Sequence, residues 1–241
     1  IVQFFLNFFV EVLMKFRVLV HVTALAVAFA VNPVFAQSAE STKLGDEKYE
    51  PRVGQSGKDV IWVPTNDAVA DAMLKAANVK PTDLVYDLGA GDGKIAIAAA
   101  KNYGATAVGI EYNKEMAELA TRNTQRAGVA DKVKIINGDI FVEDFSKATV
   151  VTMYLLPDLN LKIRPTILKM APGTRIVTNS FNMGDWEPDD KVGTGYAQGY
   201  FWVVPGNAAG KWSLKGFEGS QQPVTLELTQ RYQRVGGTLN I

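Results

Sequence analysis

Between residues 66 and 180, segments with the pattern of a β-strand alternate with segments with the pattern of an α-helix. This alternation is typical of a parallel sheet, because a helix must carry the chain back between two parallel strands. The sequence therefore predicts an α/β domain with helices on both faces of one sheet. The expected strands are 84–87, 105–111, 133–137, 149–154 and 175–180, and the expected helices are 66–77, 94–101, 113–127 and 158–170.

Polar, glycine and proline residues mark the ends of these helices. Thr65 and Asn113 are expected N-caps, since their short side chains can accept hydrogen bonds from the first free amides of a helix. Gly128 is expected to end the third helix, and Pro165 to kink or interrupt the fourth.

The pattern changes beyond residue 196. Strand-like segments at 200–204, 211–214 and 225–232 follow one another without a long helix between them. Strands joined without crossover helices pair in antiparallel fashion. The expected arrangement is therefore a parallel sheet with an antiparallel C-terminal edge.

The composition excludes several classes of chemistry. The chain has no cysteine, which removes disulfides, thiolate nucleophiles and cysteine-ligated metals. His21 is the single histidine and lies near the N-terminus, so we expect neither a histidine triad nor a metal site in the domain. Lysine plus arginine equals aspartate plus glutamate at 25 each, and this balance argues against a nucleic-acid partner.

The N-terminal segment has the layout of a secretory signal peptide. Lys15 and Arg17 precede an apolar run over 18–31, and Val34-Phe35-Ala36 resembles a cleavage site. We therefore expect export, to the periplasm, with an uncleaved membrane anchor as the alternative. The expected division of the chain is a signal peptide with upstream residues at 1–36, a flexible linker at 37–59 and one domain at 60–241.

The residues at the predicted strand ends indicate a ligand site. Ligands of an open parallel sheet bind where its strands end. The first strand leads into DLGAGDG (87–93), the second ends at Glu111, and Asp139-Ile140 follows the third. The acid at Glu111 can accept the hydroxyls of a ribose, and Asp139 can accept an adenine amino group while Ile140 covers the ring. Each feature alone also fits a structural turn or a solvated acid.

The glycine spacing argues against a dinucleotide. Gly89, Gly91 and Gly93 alternate with single residues, whereas the dinucleotide fingerprint is G-x-G-x-x-G. The acids Asp87 and Asp92 would repel a pyrophosphate but suit a cationic ligand. A nicotinamide oxidoreductase is therefore a disfavoured alternative.

Three motifs resemble, in order, those of the class I S-adenosylmethionine-dependent methyltransferases. They are DLGAGDG (87–93), GIEYN (109–113) and NGDIF (137–141), and the resemblance covers about residues 60–205. It implies a Rossmann-like fold with a seven-strand sheet and S-adenosylmethionine as the cofactor. By this resemblance Gly89, Gly91 and Gly93 lie under the methionine, Asp87 supports its amino group, Glu111 holds the ribose, and Asp139 with Ile140 holds the adenine.

Two further stretches narrow the resemblance. WVPTNDAVADAML (62–74) and VVTMYLLPDLN (150–160) are similar to bacterial relatives of the ATP synthase c-subunit lysine methyltransferase. The implied activity is methyl transfer to a protein lysine or a small molecule. Membrane contact is expected only through the N-terminal segment, and the oligomeric state stays open.

Tyr154, at the end of the fourth strand, is the candidate catalytic residue. Its ring can face a sulfonium by cation–π attraction, or it can be a core aromatic. Trp62, Phe181 and Trp186 are candidate walls of an acceptor pocket, and Asn179 is a candidate polar contact. A non-catalytic module that binds an adenosine-like ligand or a partner is the alternative function.

Overall fold

The computed structural model describes residues 44–194, 197–215 and 224–240. Its helices are α1 (Asp67–Ala76), α2 (Lys94–Tyr103), α3 (Lys114–Arg126) and α4 (Pro157–Ile167). Its strands are β1 (Leu84–Leu88), β2 (Thr106–Glu111), β3 (Val133–Asn137), β4 (Val150–Met153), β5 (Arg175–Asn179), β6 (Asp190–Thr194), β7 (Ala197–Val203), β8 (Gly210–Leu214), β9 (Val224–Arg231) and β10 (Arg234–Asn240).

Seven strands form the main sheet in the order β3-β2-β1-β4-β5-β7-β6. The first five of that order run parallel, and β7 and β6 are antiparallel at one edge. The predicted parallel sheet with an antiparallel edge is therefore confirmed. The sequence pattern does not predict strand β6, because the acids around Asp189 and Asp190 are typical of a solvated loop.

Two apolar cores cover the two faces of the sheet. Alternate residues of the central strands point to opposite faces: Val85 and Val150 belong to the core under α1 and α2, whereas Leu88 and Val151 belong to the core under α4. Helix α3 packs beside α2 on β2 and β3. Burial on both faces explains why these strands read as nearly continuous apolar runs.

The helix ends follow their capping residues. Asn66, rather than the expected Thr65, caps α1 by accepting the Ala68 amide, and Asn113 caps α3 as expected. Helix α4 runs through Pro165 and ends two residues later at Ile167. The expected extension to residue 170 is not α-helical: residues 168–170 form a turn and a bend just before Pro172-Gly173.

Strands β8, β9 and β10 form a separate antiparallel sheet in the order β10-β9-β8. This corrects the prediction that 211–214 and 225–232 extend the main sheet. Tyr232, in the β9–β10 turn, stacks on the buried Trp186 at 5.9 Å between ring centroids. Asp185 also accepts hydrogen bonds from Arg164 and Arg231, which fix this turn to α4. Local alternation predicts a strand but does not specify its partner.

The segment 44–59 differs from the flexible linker expected over 37–59. The compact unit begins at Leu44. Asp46 accepts hydrogen bonds from Arg122 at 2.6 Å and from Arg126 at 3.0 Å, so charges in this polar segment anchor it to α3. The predicted signal peptide at 1–36 and the rest of the expected linker lie outside the described residues. Among the described helices, none has the length and apolarity needed to cross a membrane.

Candidate active site

A cleft lies at the carboxyl ends of the parallel strands. One wall is a hairpin of residues 54–62, which we call the cleft hairpin. Its backbone bonds join Gly54 to Trp62 and Gly57 to Val60, and residues 55–65 line the cleft. The remaining lining comes from the glycine turn after β1, the ends of β2 and β4, the loop after β3, the first turns of α2 and α3, and α4.

The glycine turn forms the floor of the cleft. Gly89, Gly91 and Gly93 have φ values of +77°, +56° and +83°, which side chains rarely adopt. A Cβ on Gly89 would lie 2.9 Å from Leu155, and one on Gly91 would lie 2.8 Å from the indole nitrogen of Trp62. Gly93 is the N-cap of α2 and is not among the lining residues. The first two glycines therefore let Leu155 and Trp62 pack closely against the turn, and both glycines line the cleft.

Asp87 is buried at one end of the cleft, with 2% of its surface exposed. The Thr152 hydroxyl donates a hydrogen bond to its carboxylate at 2.8 Å. Burial raises the pKa of Asp87 to about 7, against the lowering effect of Thr152, and the nearby acids Asp92 and Glu111 add to the rise. This carboxylate is therefore suited to a cationic group that enters the cleft.

Glu111 lies at the middle of the cleft, at the last residue of β2. Its two carboxylate oxygens accept hydrogen bonds from the Gly91 amide at 2.9 Å and from the Asn113 amide at 2.8 Å. These bonds lower the pKa of Glu111, but burial has the larger effect and raises it. The carboxylate is held in one orientation, with further lone pairs available to hydroxyl donors.

Asp139 lies at the other end of the cleft, in the loop after β3. Lys58, at the tip of the cleft hairpin, donates to one of its oxygens at 2.6 Å, and the Phe141 amide donates to the other at 2.9 Å. The Lys58 ammonium and the amide hold the pKa of Asp139 below its usual range. The same ammonium lies 4.9 Å from the ring centroid of Tyr112. Sequence reasoning misses Lys58, because the polar segment around it is typical of a linker.

Some of the aromatic candidates line the cleft, and others lie in the apolar core. Tyr154 lines the cleft, and its ring stacks on Phe181 with centroids 6.5 Å apart. Trp62 lies over the glycine turn as part of the lining. Trp186 is fully buried in the core under α4, which corrects its candidacy, and Asn179 is buried but is not among the lining residues. Ile140 lines the cleft beside Asp139.

The charges around the cleft favour a cationic ligand. The lining contains five acidic residues and two lysines; the acids are Asp59, Asp87, Asp92, Glu111 and Asp139, and the lysines are Lys58 and Lys94. A site with this excess of carboxylates disfavours a pyrophosphate. It fits a ligand that carries positive charge.

Comparison with known proteins identifies the family. The model of the ANTKMT methyltransferase domain matches residues 87–190, which include the glycine turn, Glu111 and Asp139. A protein-lysine N-methyltransferase from Saccharolobus islandicus is 42% identical over 135 residues, which cover 55% of this chain and 84% of the relative. This chain belongs to the S-adenosylmethionine-dependent methyltransferases. The expected fold, cofactor and transferase class are thereby confirmed.

Two other methyltransferases extend the comparison. An RNA methyltransferase from Salinibacter ruber, solved with S-adenosyl-L-homocysteine, is 46% identical with a TM-score of 0.59, covering 60% of this chain and 95% of the other. The human lysine N-methyltransferase of the ATP synthase c-subunit is 30% identical over 135 residues. That match covers 56% of this chain and 57% of the relative, so the chain spans little more than half of its length.

The cleft of this methyltransferase fits S-adenosylmethionine. The cofactor combines an adenine, a ribose, a sulfonium and an amino acid with both an ammonium and a carboxylate. Carboxylates stand at three successive strand ends, at Asp87, Glu111 and Asp139, where an ammonium, hydroxyls and an amino group each find an acceptor. At Gly89 and Gly91 the turn lines the cleft without a side chain, so a ligand can approach its backbone.

Proposed function

We propose that this methyltransferase modifies the ε-amine of a lysine in a protein. The observation that carries the proposal is the 42% identity to a protein-lysine N-methyltransferase of which this chain covers 84%. The human relative is also named as a lysine methyltransferase. The family match adds support, because it includes the glycine turn and the acids of the cleft from Asp87 to Asp139.

The cofactor is expected to lie along the cleft from Asp87 to Asp139. Gly89 and Gly91 accommodate the methionine portion, with Gly93 shaping the turn, and the Asp87 carboxylate accepts from the ammonium. Glu111 accepts from the ribose hydroxyls. Asp139 accepts from the adenine amino group, while Ile140 covers the ring face. When bound, S-adenosylmethionine supplies an electrophilic methyl group on a sulfonium.

Tyr154 and Phe181 are expected to form the acceptor side of the site. The Tyr154 ring lines the cleft, and Phe181, which is not among the lining residues, stacks against it. An apolar wall fits the aliphatic stem of a lysine, and desolvation lowers the pKa of its ammonium so that it loses its proton. The residues then orient the neutral amine for in-line displacement and exclude water, and such alignment supplies much of the rate.

RNA is the second candidate acceptor, because the Salinibacter relative is named as an RNA methyltransferase. The charge balance of 25 basic and 25 acidic residues supports a protein acceptor instead. The fourth strand end reads Met153-Tyr154-Leu155 and lacks the Asp/Asn-Pro-Pro-aromatic motif typical of base-nitrogen methylation. A small-molecule amine remains compatible with the same chemistry.

The test is methyl transfer from labelled S-adenosylmethionine by the full chain. The acceptors are a protein extract, total RNA and the small-molecule fraction of the same cells, each with the wild type and with Asp87→Asn as a control. Label recovered as methyl-lysine after acid hydrolysis of the protein fraction supports the proposal. Label in RNA or in the small-molecule fraction alone contradicts it. Binding of cofactor without transfer to any fraction favours the non-catalytic alternative.

We further propose that the chain is exported, with residues 1–36 acting as a signal peptide and an uncleaved anchor as the alternative. The support is the order of Lys15 and Arg17 before the apolar run and the small residues at 34–36. Export separates the enzyme from the cytoplasm, where its cofactor is made. A reporter fused after Ile241 tests this: activity only in the cytoplasm contradicts export.

A further inference from the structure

The two lysines of the cleft lie at different places along it. Lys58 reaches the Asp139 end from the cleft hairpin. Lys94 is the first residue of α2 and follows the glycine turn directly. Its ammonium lies 2.7 Å from the carboxylate of Asp67, the first residue of α1. Each end of the cleft therefore has one ammonium group among the described lining residues.

The ligand portion placed at the Asp87 end of the cleft includes a carboxylate, and a carboxylate needs a positively charged partner there. The amino-acid portion of the cofactor carries a carboxylate as well as an ammonium. Asp87 and Asp92 suit the ammonium but repel the carboxylate. Among the described lining residues, Lys94 is the positively charged side chain beside the glycine turn. Its charge acts on the turn already, since it lowers the pKa of Asp92 against the larger, raising effect of burial.

The present partner of Lys94 is easily replaced. The Asp67 side chain is 88% exposed, whereas that of Lys94 is 32% exposed. An ion pair with so exposed a partner contributes little to stability, because water and salt screen it. A carboxylate inside the cleft would be screened less, so the exchange of one partner for the other favours the ligand.

We propose that Lys94 binds the α-carboxylate of the cofactor and releases Asp67 when the cofactor enters. The inference rests on the proposed placement of the methionine portion over the glycine turn. Lys94 would then bind the amino-acid portion of the cofactor. Asp139 would bind the adenine amino group, for which Lys58 competes.

The proposal is tested with three ligands that carry both charged groups of the amino-acid portion, the ammonium alone, or neither. They are S-adenosylhomocysteine, its decarboxylated analogue S-adenosyl-3-thiopropylamine, and 5′-methylthioadenosine, which lacks both charged groups. Each is titrated by calorimetry into the full chain, as wild type and as Lys94→Met. We expect the substitution to weaken S-adenosylhomocysteine by about tenfold, the usual effect of losing a charge-assisted hydrogen bond. The other two ligands should lose no affinity, and the cationic amine can gain some, because a like charge is removed.

Lys75→Met is the matched control, because Lys75 also pairs with an aspartate of α1, at 2.7 Å from Asp71, but lies outside the cleft lining. It should leave all three affinities unchanged, and Lys94→Arg should restore most of the S-adenosylhomocysteine affinity. Equal loss for all three ligands in Lys94→Met, or no loss for any, overturns the role of Lys94. If the folded wild type binds none of them, the proposed cofactor placement itself fails, which is a separate result.

Discussion

Each end of the cleft has an aspartate, and the pKa values of the two aspartates are shifted in opposite directions. Asp87 is buried, with Thr152 as a hydrogen-bond donor, and its pKa is raised to about 7. Asp139 is near the rim and pairs with Lys58 at 2.6 Å, and its pKa is lowered. The difference shows that burial dominates at one end, whereas a lysine and an amide dominate at the other.

This contrast predicts two modes of ligand binding in one cleft. At the Asp87 end, the protein bears an unfavourable free energy of desolvation, and an incoming ammonium relieves it. At the Asp139 end, the carboxylate is satisfied before the ligand arrives, so the adenine amino group competes with Lys58. Affinity should therefore depend strongly on Asp87 and weakly on Lys58.

The largest expected effect comes from Asp87→Asn. The substitution keeps an acceptor for Thr152 but removes the charge that meets the ligand's ammonium. Loss of one member of a buried charge pair typically costs about 2–5 kcal/mol, so affinity for S-adenosylhomocysteine should fall by about 30-fold or more. Calorimetry with the full chain measures this, and Asp144→Asn, outside the cleft lining, is the control. A loss of affinity smaller than about threefold would contradict the expected difference between the two ends of the cleft.

The same substitution should change stability in a pH-dependent way. The folded pKa of Asp87 is raised from 3.8 to about 7, so its ionisation opposes folding. Its contribution to stability is complete below about pH 4 and is lost as the pH rises through 7. Asp87→Asn should therefore stabilise the ligand-free protein at pH 8 by a few kcal/mol, since one pKa unit corresponds to about 1.4 kcal/mol.

Urea unfolding of wild type and Asp87→Asn from pH 4 to pH 8 measures this difference. The free energies of unfolding should converge near pH 4 and diverge up to about pH 7. A constant difference across this range would contradict the raised pKa.

An intermediate effect is expected for Gly91→Ala. The new Cβ must adopt φ of +56° and would lie 2.8 Å from the Trp62 indole. Gly128→Ala is a matched control, because its φ is +69° and no atom lies within 4 Å of the new Cβ. Both should lose about 1–2 kcal/mol of stability from the left-handed backbone. Only Gly91→Ala should lose affinity for S-adenosylhomocysteine, on the order of tenfold, because its Cβ displaces Trp62 in the cleft lining.

The smallest effect is expected for Lys58→Met. Removing this ammonium frees an oxygen of Asp139 for the adenine amino group. Since an exposed pair is worth about 0.2–1 kcal/mol, affinity for 5′-methylthioadenosine should rise by about 1.4- to fivefold. Added salt should raise the wild-type affinity towards that of the variant. A weaker affinity in Lys58→Met would instead mean that Lys58 holds the bound adenine.

The strand ends of the cleft were predictable because their signals are local. Gly89 and Gly91 mark a turn, and an acid ends an apolar run at Glu111. In a parallel sheet, chain order and strand direction then bring such residues to one edge. The fold of the main sheet followed from the same alternation of strands and helices.

The residues that sequence reasoning missed act over long separations. Lys58 meets Asp139 across 81 positions, and nothing in the polar segment around Lys58 indicates that partner. The separate sheet of β8 to β10 was missed for a related reason. Alternating residues indicate a strand, but the stacking of Tyr232 on Trp186 decides where that sheet lies.

The position of the cleft hairpin in the sequence affects when the cleft can form during translation. The ribosome makes this wall of the cleft first, and the carboxylate that Lys58 pairs with appears 81 residues later. Until β3 and its following loop have left the ribosome, the nascent chain presents an ammonium and an indole without their partners. The cleft therefore closes only after most of the parallel sheet has been translated, and domains generally fold as such units.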